Sequence, residues 1–565
     1  MDFQWEFIQT TPLSAVKRMA QELGVPPIIA RIMLNRGIDS LDGAKEFFNL
    51  NLKNLHDPFL MADMHVAVER LAQALNRREH ILIYGDYDVD GTTGTALLTL
   101  AFRALGYEVP HYIPERLREG YGLSLSGIEK AKADGVQLIL AVDCGVTAHE
   151  EVKRARQLGM DVIICDHHQP NPQLPPANAL LNPKRSDCPY PFKELCGVGV
   201  AFKLMQGLFR YLRRDEQPLL RHVDLVAIGS AADIVPLVDE NRIFVKFGLE
   251  QLNHTENVGL RALIKVCGLQ HTVIESGHVI FILAPRINAV GRMGDARRAV
   301  NLLVSEDEAQ AMEIAQILDA ENRERRNIDE ETFREAVEMI EAMCDPQNDT
   351  AFVLHQENWH PGVIGIVASR VVEMYYRPTV MISTTNGMGK GSVRSIPGFD
   401  IHHALSQCAD LLMAFGGHKY AAGLTIKTEQ IPALRQRLQE VAGRALTPEM
   451  LVPKLRIDGE IRFSEIEPRL IKFLKALAPY GPQNMRPVFV SRGLRVSGTP
   501  QIVGNNHLRF QVVQDRKRLD CIGFNLGEKL YRFNNDRNEI DLAYLLEENT
   551  YQGRTSLQLR VKDIR

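Results

Sequence analysis

The stretch that decides the fold is His80-Ile81-Leu82-Ile83-Tyr84-Gly85-Asp86-Tyr87-Asp88-Val89-Asp90-Gly91. A short apolar run that ends at a glycine is typical of a buried strand. The three aspartates that follow are so close along the loop that their charges repel unless a cation lies among them. Carboxylate oxygens suit Mg²⁺ or Mn²⁺, which keep several waters and recruit phosphate oxygens. The alternative interpretation is a solvated acidic turn that caps a helix.

Three later apolar segments lead into or contain polar residues in the same way: 136–142 before Asp143, 161–165 before Asp166-His167-His168, and 227–237 around Asp233. Apolar runs that alternate with helical patterns predict a mostly parallel sheet with helices on both faces. Polar residues then gather beyond the carboxyl ends of the strands, where such folds bind ligands.

Together the four segments supply carboxylates and an imidazole for a two-metal site, with ions about 3.5–4 Å apart. A lone aspartate often caps a helix instead, and a lone histidine often makes a core hydrogen bond. One ion lowers the pKa of a bound water, and both neutralise charge on a phosphate during in-line attack. The pattern therefore predicts hydrolysis of a phosphate ester.

Composition narrows the class of protein. The chain has 565 residues, 45% hydrophobic and 24% charged, which excludes a disordered or fibrous protein and predicts more than one domain. No apolar run approaches the ~20 residues of a membrane helix. The acidic start lacks a secretion signal, and eight cysteines without a CxxC pair indicate reduced thiols. We therefore expect a cytoplasmic protein without a membrane partner.

Charge is unevenly distributed along the chain. The formal net charge is −4, but residues 451–565 hold 20 Lys and Arg against 13 Asp and Glu, and the remainder carries −11. Such asymmetry indicates an electrostatic partner for the basic part, although chance variation in surface charge explains it about equally well.

Three further regions have distinct patterns. Residues 305–340 contain no proline or glycine and predict one or two long helices. Their strong charge favours a solvated connector, and a packed amphipathic helix is the alternative. Residues 350–445 read as a second α/β segment. The basic tail alternates apolar and polar residues between Gly, Asn and Pro turns, which predicts a small β-barrel.

The four acidic segments resemble the motifs of the DHH phosphoesterase superfamily, whose name comes from the triplet Asp166-His167-His168. Two glycine-rich segments, 389–395 and 415–423, resemble its accessory DHHA1 domain. With 120–124, 286–293 and the terminal barrel, the chain is similar from about residue 50 to its end to the bacterial members that degrade single-stranded DNA from 5′ to 3′.

The resemblance implies an α/β fold, with a parallel-sheet DHH domain and a smaller α/β DHHA1-like domain joined by a long helix, and a C-terminal OB-like β-barrel. The expected boundaries are 1–50 for an N-terminal extension of short helices, 51–270 for the DHH catalytic domain, 271–345 for the connecting segment, 346–450 for the DHHA1-like domain, and 451–565 for the OB-like nucleic-acid-binding domain.

The resemblance also implies residue roles. The implied ligands of two Mg²⁺ or Mn²⁺ ions are Asp88, Asp90, Asp143, His167 and Asp233. Asp143 is the implied bridge, His168 contacts a metal or the scissile phosphate, and Asp86 orients a ligand or a water. Many superfamily members have a histidine where this chain has Tyr84, and a neutral phenol is a poor ligand. We therefore expect one metal to be held more weakly, or to be completed by His168 or water.

Substrate-binding positions follow from the same resemblance: Arg116, Arg292, Ser392, Arg394 and His418. Guanidinium groups grip a terminal 5′ phosphate bidentately, and the serine hydroxyl and glycine-rich backbone close around it. The arginines could instead be surface ion-pair partners. His418 either faces a cleft between lobes or bonds to a turn.

The barrel offers charge and rings for DNA: Arg509, Arg516, Lys517, Arg518, Phe489, Phe510 and Phe524. Most aromatic rings in a small barrel are core, so we expect one or two at most to stack on bases.

The leading hypothesis is a single-strand-specific 5′ to 3′ DNA exonuclease that releases 5′-mononucleotides in recombination and repair. It acts as a monomer, with helicase and single-strand-binding-protein partners implied by the resemblance alone. The alternatives are a phosphodiesterase for nanoRNA or small nucleotides and a non-catalytic DNA-binding scaffold. The basic barrel argues against the first, and the intact acidic set argues against the second.

Overall fold

In the computed structural model of the protein, the described residues are 2–8, 12–115, 119–346, 348–533, 539–551 and 554–565. They form two compact units. The parallel-sheet unit comprises Lys45–Arg323 and Leu477–Met485, and the barrel unit comprises Met1–Ala44, Glu324–Ala476 and Arg486–Arg565. Within the described residues, no helix is long and apolar enough to cross a membrane.

The strands are β1 Gln4–Phe7, β2 Ile81–Gly85, β3 His111–Tyr112, β4 Leu138–Val142, β5 Asp161–Cys165, β6 Ala179–Leu181, β7 Phe352–Glu357, β8 Thr379–Thr385, β9 Met388–Arg394, β10 Leu412–Gly417, β11 Ala421–Lys427, β12 Lys454–Ile457, β13 Gly459–Glu460, β14 Phe489–Val503, β15 His507–Gln514, β16 Lys517–Gly523, β17 Glu539–Tyr551 and β18 Arg554–Ile564.

The α-helices are α1 Leu13–Leu23, α2 Pro27–Asn35, α3 Leu41–Phe48, α4 Met64–Arg77, α5 Val89–Ala104, α6 Leu125–Ala133, α7 His149–Gln157, α8 Gly197–Tyr211, α9 Gln217–Leu220, α10 Val223–Ala232, α11 Asp239–Leu252, α12 Val258–Val266, α13 Ser276–His278, α14 Ala284–Met293, α15 Arg297–Leu303, α16 Glu308–Met343, α17 Ile364–Tyr375, α18 Ile401–Ser406, α19 Ile431–Ala445 and α20 Pro468–Leu477. A π-helical segment, Val279–Leu283, precedes α14.

The parallel-sheet unit is built on five parallel strands in the order β3-β2-β4-β5-β6. Alternate residues of each strand point to opposite faces, so Ile83 joins a core with α5, α8 and α10, and Tyr84 joins a second core with α6 and α7. Both faces are covered, which is why the strands are continuously apolar rather than alternating. The predicted parallel sheet is confirmed.

The segment predicted to form one or two long helices is the single helix α16, of 36 residues. Near its start, Ala311, Ala315 and Leu318 lie in the core of the parallel-sheet unit. Near its end, Ala336 and Ile340 lie in a core of the barrel unit. The helix is therefore packed at both ends, and the alternative of a packed amphipathic helix describes it better than a solvated connector.

The barrel unit contains a second α/β layer, a five-stranded sheet in the order β10-β11-β9-β8-β7. Only β7 and β8 are parallel, and the other neighbours are antiparallel. The smaller α/β domain is thus a mixed sheet, with α17 and α19 packed against it.

The basic tail forms the expected barrel. Strand β14 pairs with β15 on one side and with β17 on the other, which closes the ring β14-β15-β16-β18-β17. The N-terminal segment has the expected short helices, but it also forms β1, which pairs in parallel with β12. Trp5 Nε1 donates a hydrogen bond to Asp563 Oδ2 at 2.7 Å, so the start of the chain is bound to the barrel.

Candidate metal centre

The loop after β2 carries three aspartates with different local roles. Asp86 is buried directly beyond the strand. Asp88 caps α5, because its Oδ1 accepts a hydrogen bond from Gly91 N at 3.0 Å. Asp90 is buried in the first turn of α5, where it accepts hydrogen bonds from Gly197 N at 2.5 Å and Val198 N at 2.8 Å. The amino end of α8 therefore holds the Asp90 carboxylate, as helix N-termini hold anions.

Asp143 follows β4 in a left-handed conformation, with φ of +61°. Its backbone N–H donates to the Cys165 carbonyl at 2.8 Å. A Cβ at Gly197 would lie 2.6 Å from the Asp143 Cβ, so only glycine fits at the start of α8. Glycine here allows the helix to approach both Asp90 and Asp143. This role of Gly197 was not predicted from the sequence, where the Gly197-Val198-Gly199 spacing is its local sign.

In the triplet Asp166-His167-His168 after β5, the buried aspartate holds the loop and the two histidine rings point in different directions. Asp166 accepts hydrogen bonds from the backbone of Val146, His167 and His168, at 2.9, 2.7 and 3.1 Å. It also pairs with His168 Nδ1 at 2.7 Å. His167 points the other way, and its Nε2 lies 3.2 Å from Asp143 Oδ1. Asp166 therefore orients the loop, and His167 joins the carboxylates.

Asp233, at the end of α10, completes the cluster. Its Oδ2 lies 3.5 Å from His167 Nε2, and Asp90 Oδ2 lies 3.6 Å from the same nitrogen. Three groups have donor atoms all within 4.8 Å of one another: Asp86-Asp88-Asp143, Asp90-His167-Asp233 and Asp143-His167-His168. We call the residues of these three groups the carboxylate cluster.

Burial and mutual repulsion disfavour the charges of these carboxylates. Burial, with the charge of Asp88, raises the pKa of Asp90 to about 7. Burial, with the charges of Asp90 and Asp88, raises the pKa of Asp233 to about 8. Burial also raises the pKa of Asp143 well above its usual range, and neighbouring aspartates add to the effect. A bound cation would favour the ionised form of all three.

His167 and His168 differ in their preferred protonation state. Burial lowers the pKa of His167 to about 3, which keeps the ring neutral, the form that binds metal. Burial opposes charge on His168 too, but the hydrogen bond to Asp166 outweighs it and raises the pKa of His168 to about 9. Despite burial, the contact with His168 holds the pKa of Asp166 at about 2.

The cluster fits divalent cations. Among the described residues, neither Asp143 Oδ1 nor the two ring nitrogens of His167 has a hydrogen-bond partner, although all are buried. Buried polar atoms without partners are costly, and a metal ion would satisfy them. Oxygen donors with one imidazole suit Mg²⁺ and Mn²⁺.

Tyr84 lies outside the cluster. Its ring is fully buried, and its hydroxyl is 3.3 Å from Ser124 Oγ and accepts a hydrogen bond from Ser124 N at 3.3 Å. Burial raises the pKa of Tyr84 above its usual range, so the phenol stays neutral. Asp86 and His168 instead supply donor atoms beside Asp143. Tyr121, in the 120–124 segment, also touches the cluster, since its hydroxyl donates to the Asp143 carbonyl at 3.0 Å.

The expected phosphate-binding residues are not all described. Arg116 lies outside the described residues, and Arg292 is half-buried in α14. On β9, Arg394 Nη1 donates to Ser392 Oγ at 3.2 Å. Gly365, in the first turn of α17, was not predicted from the sequence. A Cβ there would come within 2.8 Å of Ser392 Oγ and 3.2 Å of Arg394 Nη2.

His418 lies between β10 and β11 with an exposed side chain, and its backbone N–H donates to the Ala421 carbonyl at 2.8 Å. The backbone of His418 thus supports a turn, and its ring faces outward.

The barrel has one exposed phenylalanine among the three expected candidates. Phe489 and Phe510 are core residues, whereas Phe524 is 48% exposed. The Arg560 guanidinium lies 5.2 Å from the centre of the Phe524 ring. Arg509, Arg516 and Arg518 are exposed, but Lys517 is half-buried and donates to the Ile466 carbonyl.

Family models match three stretches of the chain: the N-terminal domain of the DHH family over residues 80–230, the DHHA1 domain over 348–444, and the RecJ OB domain over 457–563. These matches place the chain in the class of proteins that carry a DHH domain followed by a DHHA1 domain.

Relatives narrow the class. The single-stranded-DNA-specific exonuclease RecJ of Bacillus subtilis (strain 168) is 40% identical over 563 residues, which cover 99% of this chain and 70% of the relative. That of Escherichia coli (strain K12) is 34% identical and covers 96% of both chains. The crystal structure of RecJ from Thermus thermophilus in complex with Mn²⁺ is 31% identical, with a TM-score of 0.85 over 100% of this chain and 79% of that chain. The chain belongs to the RecJ family.

Proposed function

We propose that this chain is a metal-dependent exonuclease that degrades single-stranded DNA from its 5′ end and releases 5′-mononucleotides in DNA recombination and repair. The observation that carries the proposal is the carboxylate cluster, in which buried donor atoms of Asp143 and His167 have no hydrogen-bond partners within the described residues. Family membership supports the substrate, since the relatives are single-stranded-DNA-specific exonucleases.

The proposed ligands of two Mg²⁺ or Mn²⁺ ions are Asp88, Asp90, Asp143, His167 and Asp233, with Asp143 shared. Asp86 and His168 belong to the same groups of donors, which supports a role for them as further ligands or as partners of bound water. When bound, the ions supply an activated water and neutralise charge on the phosphate.

The side chains around the ligands have separate tasks. The α8 backbone amides hold the Asp90 carboxylate in place. Asp166 orients His168 through its hydrogen bond to Nδ1, and when the ring is protonated the imidazolium attracts a phosphate oxygen instead of binding metal. Tyr121 fixes the backbone of Asp143 by its hydroxyl hydrogen bond.

For the 5′ phosphate we propose Arg116, Arg292, Ser392, Arg394 and His418. The approach of Gly365 to Ser392 and Arg394 supports this, because the amino end of α17 adds partial positive charge beside a guanidinium. A phosphate bound there would fix the strand end and thereby the direction of degradation.

For the single strand beyond the site we propose the barrel. Phe524 offers one exposed ring, and Arg509, Arg516 and Arg518 offer charge for phosphates. The division of the chain at residues 50, 270, 345 and 450 is part of the same proposal: N-terminal segment, DHH domain, connecting segment, DHHA1-like domain and OB-like barrel.

Location, oligomeric state and protein partners in the cell are also proposed. We infer a cytoplasmic monomer that works with a helicase and a single-strand-binding protein, on the basis of family resemblance. Pull-down from a lysate with single-stranded DNA removed by nuclease would test the protein partners, and light scattering would test the monomer.

The test of the activity uses end-labelled single-stranded DNA, duplex DNA and a dinucleotide, each with Mg²⁺, Mn²⁺ or a chelator. We expect mononucleotides from single-stranded DNA only, with 5′-phosphorylated strands preferred and no product with chelator. Cleavage of the dinucleotide alone would favour a small-nucleotide phosphodiesterase, and binding without cleavage would favour a scaffold. Asp224→Asn is the matched control for Asp143→Asn, since both aspartates are buried in the same unit but Asp224 bonds to Thr255 at 2.6 Å, outside the cluster.

A further inference from the structure

Ile234, the residue after Asp233, departs from two local rules. Its φ is +59°, in the left-handed region that β-branched residues rarely adopt because the Cβ crowds the backbone. Its side chain is 61% exposed, so burial of apolar surface does not offset the strain. Glycine or asparagine would fit this turn with less strain.

The surroundings of Ile234 impose this conformation. Ala231 and Val235, on either side of the turn, are buried, and Leu237 N donates to the Pro482 carbonyl at 2.8 Å within the parallel-sheet unit. The turn is therefore fixed at both ends, which is how folds maintain a strained residue. Packing explains the position of the backbone, but it does not explain why the side chain is isoleucine.

The position of the turn offers an explanation. Asp233 Oδ2 is 3.5 Å from His167 Nε2, so Ile234 directly follows a residue of the carboxylate cluster, and its side chain is exposed. Residues that break a local rule without a packing benefit concentrate at functional sites. A nucleotide carries apolar sugar and base faces next to its phosphate, and Ile234 is an exposed apolar side chain next to a residue of the cluster.

We propose that the Ile234 side chain contacts the apolar face of the nucleoside next to the scissile phosphate and positions it for hydrolysis. The inference rests on the proposed function. The contact joins hydrocarbon to the sugar carbons and the base, so it is tolerant of sequence, because every base has an apolar face. Ile234 carries no charge, so it acts on the nucleotide and not on the metal ions.

The first experiment compares steady-state degradation of 5′-phosphorylated single-stranded DNA by the native enzyme, Ile234→Gly and Ile234→Leu. We expect Ile234→Gly to lower kcat/KM about tenfold, mostly through KM, and Ile234→Leu to recover most of the loss. The Mg²⁺ concentration for half-maximal rate should not change. The melting temperature of Ile234→Gly should stay the same or rise, because glycine relieves the strain. Val66→Ala, at an exposed aliphatic position on α4, is the control and should change none of these quantities.

The second experiment replaces the first or second nucleotide of the strand by an abasic residue. The native enzyme should lose activity on one of these abasic strands. On that strand, the substitution Ile234→Gly should cause little further loss, because the base that Ile234 contacts is already missing. Additive losses at both positions would overturn the inference, and so would a fall in melting temperature together with a higher Mg²⁺ requirement. An inactive native enzyme would overturn the proposed function and this inference together. An active native enzyme with unchanged kcat/KM in Ile234→Gly would overturn this inference alone.

Discussion

Two groups of buried charge in the parallel-sheet unit differ in how they are compensated. In the first group, Lys203 Nζ lies 2.6 Å from Glu240 Oε1, and both side chains are fully buried. Glu240 also accepts hydrogen bonds from Tyr190 Oη and His56 N, at 2.6 and 2.9 Å. Every charge in this group has a partner supplied by the chain, so the group needs nothing from outside to be stable.

The carboxylate cluster is the opposite case. Among the described residues, no lysine or arginine forms an ion pair with Asp90, Asp143 or Asp233. These carboxylates face one another, and their raised pKa values reflect burial and repulsion. The comparison teaches that uncompensated buried charge marks a site for a cation, whereas compensated buried charge supports the fold. The variants below test this distinction.

The largest effect is expected at Asp143. Asp143→Asn should lower kcat by about 10⁴-fold, roughly 5 kcal/mol of transition-state stabilisation, and leave DNA binding largely intact. Its free energy of unfolding without metal should stay the same or rise, because a repelling charge is removed. Single-turnover degradation and urea unfolding measure the two quantities, with Asp224→Asn as the active control. A variant that keeps its turnover would show that Asp143 does not bridge metals.

At the Lys203–Glu240 ion pair, we expect a substitution to lower stability rather than activity. Lys203→Met leaves Glu240 buried without its cation and should cost about 4 kcal/mol of unfolding free energy at pH 7, measured in urea. The folded fraction should remain active at low temperature. The double variant Lys203→Met with Glu240→Gln should recover part of the loss. A Lys203→Met variant as stable as the native chain would show that buried Glu240 does not depend on the lysine charge.

A smaller effect is expected at Asp224, which is buried outside both groups. Burial raises the pKa of Asp224 from 3.8 to about 6, although Thr255 donates a hydrogen bond to it. A raised folded-state pKa contributes stability below pH 4 that is lost as the pH rises through 6. Relative to the native chain, Asp224→Asn should therefore gain up to about 3 kcal/mol between pH 4 and pH 7. Denaturant titrations at several pH values test this, and a constant difference would mean that the folded-state pKa is not raised.

The smallest effect is expected on the exposed charges and rings of the barrel. Phe524→Ala should weaken single-stranded DNA binding by about 1–2 kcal/mol, and Arg509→Ala should lower the salt dependence of log K by about one unit or less. Fluorescence anisotropy at several salt concentrations measures both. Point variants are preferable to deletion after Leu451, because β12 pairs with β1 and the 477–485 segment belongs to the parallel-sheet unit. If neither the DNA affinity nor its salt dependence changed, the barrel surface around Phe524 and Arg509 would not bind DNA.

Much of the fold follows from local pattern. The apolar runs predicted three central strands, now β2, β4 and β5, with bounds that differ by no more than two residues. Successive Asp and His residues at their carboxyl ends then meet at one edge, because parallel strands bring those ends together. The absence of proline and glycine from residues 305–340 also predicted the long helix, but its strong charge favoured a solvated connector, whereas both ends of the helix are packed.

Contacts between residues far apart in the chain could not be predicted from local sequence patterns. The first strand pairs with β12, about 450 residues away, and Arg242 in α11 donates to the carbonyls of Leu477 and Ala478. Nothing local distinguishes Phe524 from Phe489 and Phe510, yet only Phe524 is exposed. Which face of a barrel strand points inward depends on closure with other strands, which no short window of sequence contains.

The sequence by itself determined the class of chemistry, because closely spaced carboxylates and histidines at the ends of predicted parallel strands indicate a metal site for phosphate-ester hydrolysis. The tertiary structure alone decided which of these groups lack a partner: α8 places its amides on Asp90, whereas Asp143 Oδ1 and both ring nitrogens of His167 have no hydrogen-bond partner among the described residues. The physical reason is that local pattern specifies the type and spacing of charges, whereas compensation of a buried charge depends on groups brought from distant parts of the chain.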